Sequence, residues 1–320
     1  MIVPIKIGVV LSEQSINLVL SDIIQTLNTT IKEASFISEQ KDGEASFSGD
    51  RVFTFGVLVS FLMTNLQKGL QRGIALFAEA IQSEGGSIPE VSKAAFCKVR
   101  KRLKPTAFSK LSKIACQKFY DSGEVRLWNG YRIIGVDGST AELPSSKEIQ
   151  GPYGVLLARI ELESDETEIL LSSLVDEQKI THSQLKKVYG LRWPVEESYK
   201  TFKHKVCIEN FSGKSQKAVL QDFYVKIFIM NLTTVAVRPI NEALKKESVK
   251  VKYVHQVNFI EAIATMKKAV VSFFVTGKVT EAIKRIVRRL SVITEPIRPG
   301  RKFKRNHQPK RKHYMNYKQV

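Results

Sequence analysis

The run Tyr189-Gly-Leu-Arg192-Trp-Pro-Val-Glu196-Glu-Ser-Tyr-Lys-Thr-Phe-Lys203 places a phenol, a guanidinium, a carboxylate and an ammonium in the spacing Y-x2-R-x3-E-x6-K. On a helix turning about 100° per residue, Arg192, Glu196 and Lys203 fall at about 300°, 340° and 320° from Tyr189, so all four share an arc of about 60°. One polar stripe then offers a carboxylate for a divalent cation, and two cations and a phenol for phosphate oxygens. That is the equipment of phosphoryl transfer. Gly190 and Pro194 interrupt the run, with Pro194 suited to a first helical turn. In that case Glu196 and Lys203 stay aligned, and Tyr189 and Arg192 approach from the preceding loop.

Other chemistry-bearing residues are less organised. Gly213-Lys214-Ser215 ends like a phosphate-binding loop, but Ile208 stands where the leading glycine belongs. His182, His204, His255, His307 and His313 have no metal-ligand spacing. Cys97, Cys116 and Cys207 form no C-x-x-C pair, which argues against a disulfide scaffold or thiolate zinc site and fits a reducing compartment. Trp128 and Trp193 read as packing residues, Trp193 lying inside the polar run.

The chain that positions these groups has 320 residues and a net charge of +19, so the first partner to consider is a polyanion. With 43% hydrophobic and 25% charged residues it is of globular composition. The charge is unevenly placed. Residues 1–50 and 131–180 carry −4 and −6, residues 51–130 and 181–296 carry +8 and +12, and residues 297–320 have nine basic side chains and no acid. An acidic middle between basic blocks suits a metal-dependent enzyme acting on nucleic acid; it equally suits a basic binding protein with one acidic surface. The N-terminal MIVPIKIGVV is broken by Pro4 and Lys6 and is not expected to be a signal peptide. Phe53–Leu66 is too short to span a bilayer, so no membrane is expected.

Periodicity predicts a helix over Ser12–Ala34, a polar loop over Ser35–Asp50 and one or two buried helices over Phe53–Ile81. Ser92 is placed to cap a helix that Pro105 closes. There Phe96, Val99 and Leu103 form an apolar stripe, and Lys98, Arg100, Lys101, Arg102 and Lys104 take the remaining faces. Another helix follows over Ala107–Phe119. This pair resembles a helix-turn-helix loosely; a solvated basic face is the commoner explanation. From Tyr131 the period changes. Tyr131–Val136 reads as a strand ending at Asp137-Gly138, and Val155–Leu162 with Ile169–Leu174 as a β-hairpin. From Thr181 the chain reads as helical nearly to the end, including an amphipathic helix over Val279–Ile293, and the tail from Pro296 as unfolded in isolation.

Tyr189, Arg192, Glu196 and Lys203 match the Y-R-E-K signature, and here the sequence resembles the DDE insertion-sequence transposases of the insertion-sequence-four group. Val136-Asp137-Gly138-Ser-Thr140 with Leu143-Pro144 is similar to that family's first catalytic-Asp segment. Glu166–Leu174, the run to Lys203, Glu209–Ser215 and Thr294–Arg301 are similar to its later parts. The resemblance implies a ribonuclease-H-like core, Mg2+ or Mn2+ as cofactor, and Asp137 and Glu196 as catalytic metal ligands. Tyr189, Arg192 and Lys203 would hold DNA phosphates. The implied partners are double-stranded DNA bearing terminal inverted repeats and a second copy of the chain, in a bacterial, nucleoid-associated setting.

The expected fold is thus α/β: a helical, DNA-binding segment 1–125, an incomplete ribonuclease-H-like core 126–240, helices over 241–296 and a basic tail 297–320. The core is incomplete because only the 17 residues 138–154 separate the first acid from the hairpin. Two strands, a crossover helix and a further strand need roughly 40. The family's second Asp has no match; Asp165 and Asp176 lie in the interval, but in segments similar to non-catalytic parts. The reading is a transposase-family protein with impaired strand cleavage. The alternative is a non-catalytic DNA-binding protein that competes with an intact transposase.

Overall fold

Local pattern fixes most of the helices in the computed structural model, which describes residues 13–47, 52–64, 69–89, 91–123, 198–247 and 252–298. Helix α1 (Glu13–Lys32) buries Leu20, Ile23, Ile24, Leu27 and Ile31, the i, i+3, i+4 repeat of one helix face. The apolar run Phe53–Ile81 divides into α3 (Phe55–Thr64) and α4 (Leu70–Ser83). Helix α5 (Lys93–Arg100) starts where Ser92 predicts, its Oγ accepting from Ala95 N at 3.2 Å. It ends earlier than expected, however: residues 101–104 form a turn, and Pro105 precedes α6 (Thr106–Asp121) rather than closing α5.

The segment from Ser35, expected to be a loop, begins with α2 (Ala34–Gln40). Its sequence is polar, yet Phe36 and Gln40, one turn apart, are both buried. Gln40 Oε1 accepts from Thr106 Oγ1 at 2.7 Å, Gln40 O from Lys104 N at 2.9 Å, and Arg102 O from Asp42 N at 2.7 Å. The hydrogen bonds that hold the end of α2 are therefore with residues sixty or more positions later, and Phe36 packs edge-to-face on Phe55, contacts that no local period reports.

After residue 198 a π-helical turn (Thr201–Lys205) leads to a loop and then to α7 (Gln216–Glu247), α8 (Phe259–Phe274) and α9 (Val279–Val292). The boundary at 240/241 lies inside α7. Two short strands, β1 (His255–Val257) and β2 (Thr294–Pro296), pair antiparallel with Gln256 opposite Glu295. Asn241 of α7 fixes this ribbon by accepting from Val257 N at 2.7 Å, and Asn258 caps α8 by accepting from Ile260 N and Glu261 N.

The described residues are thus mostly helical with one small two-stranded sheet. One hydrophobic core runs through them from Leu20 to Leu290. Phe53, Phe61, Phe77 and Phe96 meet edge-to-face at its N-terminal end, with Phe61 and Phe96 centroids 4.8 Å apart. α7 packs on α6, α8 and α3. By length and composition it could cross a membrane, but it places Gln221, Asp222, Lys226 and Thr233 inside this protein core. The expected strand Tyr131–Val136 and the hairpin Val155–Leu174 lie outside the described residues, as does the tail from 299.

Candidate functional site

Of the Y-R-E-K residues, Lys203 is described; Tyr189, Arg192 and Glu196 lie outside the described residues, as does Asp137. Lys203 is half-buried and sits in the π turn, where Val206 N donates to Thr201 O at 2.9 Å. Around Lys203 the chain therefore winds more widely than the 3.6 residues per turn on which the sequence stripe was drawn.

What fixes this turn is the loop that follows it. Lys226 of α7 is fully buried, and its ammonium donates to Cys207 O at 2.7 Å, Ile208 O at 3.3 Å and Asn210 O at 2.6 Å. An ammonium has three donors, and three carbonyls receive them. The ring of Phe211 lies 5.4 Å from the same nitrogen. Cys207 takes a left-handed backbone at φ +52°, an uncommon conformation for a residue with a side chain. The carbonyls offered to Lys226 start at this residue.

One turn earlier on α7, Asp222 holds the next part of the loop. Its Oδ2 accepts from both Ser212 N and Ser212 Oγ at 2.6 Å, and its Oδ1 accepts from the Arg100 guanidinium at 2.9 Å. Arg100 also donates to Gln221 Oε1 at 2.7 Å, Ser212 Oγ at 2.5 Å and Ala218 O at 3.0 Å. Gln221 returns bonds to Arg100 O and Leu103 O. The end of α5, the start of α7 and the loop after Lys203 thus share one buried, hydrogen-bonded network. Such networks specify a unique arrangement because each unpaired member is costly.

Arg100 therefore leaves the basic face assigned to it from sequence. The signal was present: Arg100 stands four residues after Phe96, on the same stripe as Leu103. Asp222 and Lys226 likewise stand at i and i+4 on a helix whose neighbours Val219, Val225 and Phe228 are buried. Lys93, Lys98 and Lys101 do face solvent. Lys104 Nζ donates to Glu39 O at 2.8 Å, and Lys217 pairs with Asp42, whose carboxyl is held below its ordinary range by that hydrogen bond and charge. Gly213-Lys214-Ser215 serves as a helix start: Ser215 Oγ accepts from Ala218 N at 3.3 Å.

A second basic region lies on α9. Ile283, Ile286, Val287 and Leu290 are buried as the periodicity predicts, and Lys284, Arg285, Arg288 and Arg289 are exposed. Among the described residues no group of three or more His, Cys, Asp or Glu side chains could hold a metal ion. No protein-family model, curated protein or solved structure matches the chain.

Proposed function

We propose that the chain is a DNA-binding protein of transposase type whose strand-cleavage chemistry is impaired. The observation that carries the binding half is the placement of cations. Lys93, Lys98 and Lys101 of the α5 region and Lys284, Arg285, Arg288 and Arg289 of α9 stand on exposed faces of one helical body, while their apolar neighbours fill its core. A polyanion's phosphates neutralise such cations with release of counterions, so affinity should fall steeply with salt. The cleavage half rests on the resemblance. Residues 126–240 are read as an incomplete ribonuclease-H-like core, with Asp137 and Glu196 as its acids and no counterpart of the second Asp. A divalent cation at those acids would act as a Lewis acid at a phosphodiester. The chain's own contribution is positioning: Lys203 holds a phosphate, and the Arg100, Asp222 and Lys226 network holds the loop behind Lys203.

The test is a labelled duplex carrying the element's terminal repeat, incubated with the purified chain and Mg2+ or Mn2+. Salt-sensitive binding without cleavage is expected. Absence of binding at low salt would refute the proposal. Cleavage abolished by Glu196→Gln would show an intact active site and point to Asp165 or Asp176 as the replacement acid.

A further inference from the structure

A cleft of about 820 Å3 opens between α4, α8 and α9. Its floor is made of small and apolar groups, among them Ala80, Ala269, Ala282 and Ile286. Its walls carry Lys268 of α8 and Arg285, Arg288 and Arg289 of α9. Two acids also line it, Glu84 and Glu261. Glu84 is committed to structure: its Oε1 accepts from Ser272 Oγ at 3.0 Å and from Arg285 at 2.9 Å, and its backbone carbonyl from Lys278 Nζ at 2.7 Å. Ser272 is fully buried, so this clip ties the end of α4 to α8 and α9 and fixes the Arg285 guanidinium in the cleft wall.

Lys268, Arg288 and Arg289 are different. All three are exposed, and among the described residues none of them enters an ion pair. Arg285, Arg288 and Arg289 follow the i, i+3, i+4 spacing of one helix face, and Lys268 stands on the neighbouring helix. Guanidinium forks match the paired oxygens of a phosphate, and small floor residues allow a bulky chain to approach the helix backbones closely. The charge also continues along the chain: α9 leads through β2 into residues 297–320, with nine basic residues and no acid.

We propose that this cleft binds the phosphodiester backbone of double-stranded DNA, with Lys268, Arg288 and Arg289 as the phosphate contacts and Arg285 as a positioning residue held by Glu84. The inference rests on the DNA-binding reading above and assigns it a place. Charge complementarity favours a polyanion over an apolar partner, and a lining this rich in arginine favours phosphate.

The experiment compares the full chain, the triple variant Lys268→Ala/Arg288→Ala/Arg289→Ala and a charge-matched control, Lys113→Ala/Lys245→Ala/Lys246→Ala, whose three lysines are exposed outside the cleft. Duplex affinity is measured across a salt series. Each phosphate contact contributes about 0.9 to the slope of log K against log salt, so the cleft variant should lose about 2 to 3 from its slope and the control much less. Equal losses in the two variants, or none in the cleft variant, would overturn the cleft assignment and leave DNA binding standing. Failure of the unaltered chain to bind any duplex would refute the DNA-binding reading itself. Tighter binding of poly-glutamate than of duplex, lost in the cleft variant, would assign the cleft to an acidic protein and overturn phosphate recognition. Urea midpoints of both variants should match that of the full chain, since all six side chains are exposed.

Discussion

Arg100 and Asp222, 122 residues apart in sequence, form a buried ion pair at 2.9 Å that joins the end of α5 to the start of α7. The pair is satisfied on both sides, since the guanidinium reaches Gln221, Ser212 and Ala218 and the carboxylate reaches Ser212. Removing one partner leaves the other as a buried charge, which costs about 3–5 kcal/mol. Arg100→Met is therefore expected to lower unfolding free energy by that amount in urea titration. Arg100→Met with Asp222→Leu should recover part of the loss, because an apolar pair leaves no charge stranded.

Lys226→Met should loosen one loop more than it destabilises the whole. Its ammonium satisfies the carbonyls of Cys207, Ile208 and Asn210, and each buried carbonyl left unpaired costs about 1–3 kcal/mol. The cheapest relief is for the loop to open to water. Hydrogen exchange should accelerate across residues 206–212 while α1 and α3 stay protected. Unchanged exchange there would refute the view that Lys226 holds the segment behind Lys203.

Acid should release the clip at the basic cleft. Burial alone would raise the Glu84 carboxyl, but hydrogen bonds from Ser272 and Arg285 and the charges of Arg285 and Lys278 outweigh it and bring it below its ordinary 4.5. A carboxylate depressed in the folded state stabilises fully above its unfolded value and loses that contribution as pH falls through the folded value. The melting temperature is expected to hold between pH 7 and about 5.5 and to fall below about 4.5. Glu84→Gln should melt lower at pH 7 and show a smaller further drop on acidification.

The cysteines should separate by reactivity. Cys97 is exposed on α5, whereas burial raises the Cys116 thiol above its ordinary 9.0 despite a hydrogen bond with Ser112. The thiolate is the reacting species, so Cys116 is expected to alkylate at least tenfold more slowly than Cys97 at neutral pH. Mass-resolved labelling with iodoacetamide measures both rates in one sample.

The tail should add affinity without adding fold. Truncation after Arg298 removes eight of the nine basic residues of 297–320. The urea midpoint is expected to stay within experimental error, since a segment with nine basic residues and no acid has the composition of a chain unfolded in isolation. Duplex affinity at low salt should fall, with a shallower salt slope, as phosphate contacts are lost. An unchanged slope would remove the tail from the interface.

The sequence by itself determined the helices whose stability comes from a single apolar face. α1, α4, α6 and α9 follow their hydrophobic period, and Ser92 marks a helix start, because periodicity and caps are properties of a few neighbouring residues. It also placed the cations of α9 outside. Asp137, Tyr189, Arg192 and Glu196, the residues on which the resemblance rests, fall outside the described residues. Tertiary structure alone decided that α2 is helical, that three-residue segments 37 and more positions apart pair as β1 and β2, and that Lys203 sits in a π turn. It also decided that Arg100 and Lys226 are inside. A charge can be buried only where its partner waits, and here the partners are Asp222, Gln221 and a row of loop carbonyls. Nothing within a few residues of Arg100 reveals them: its spacing from Phe96 puts it on the apolar stripe, but only the fold supplies the partners that let it tie two helices together.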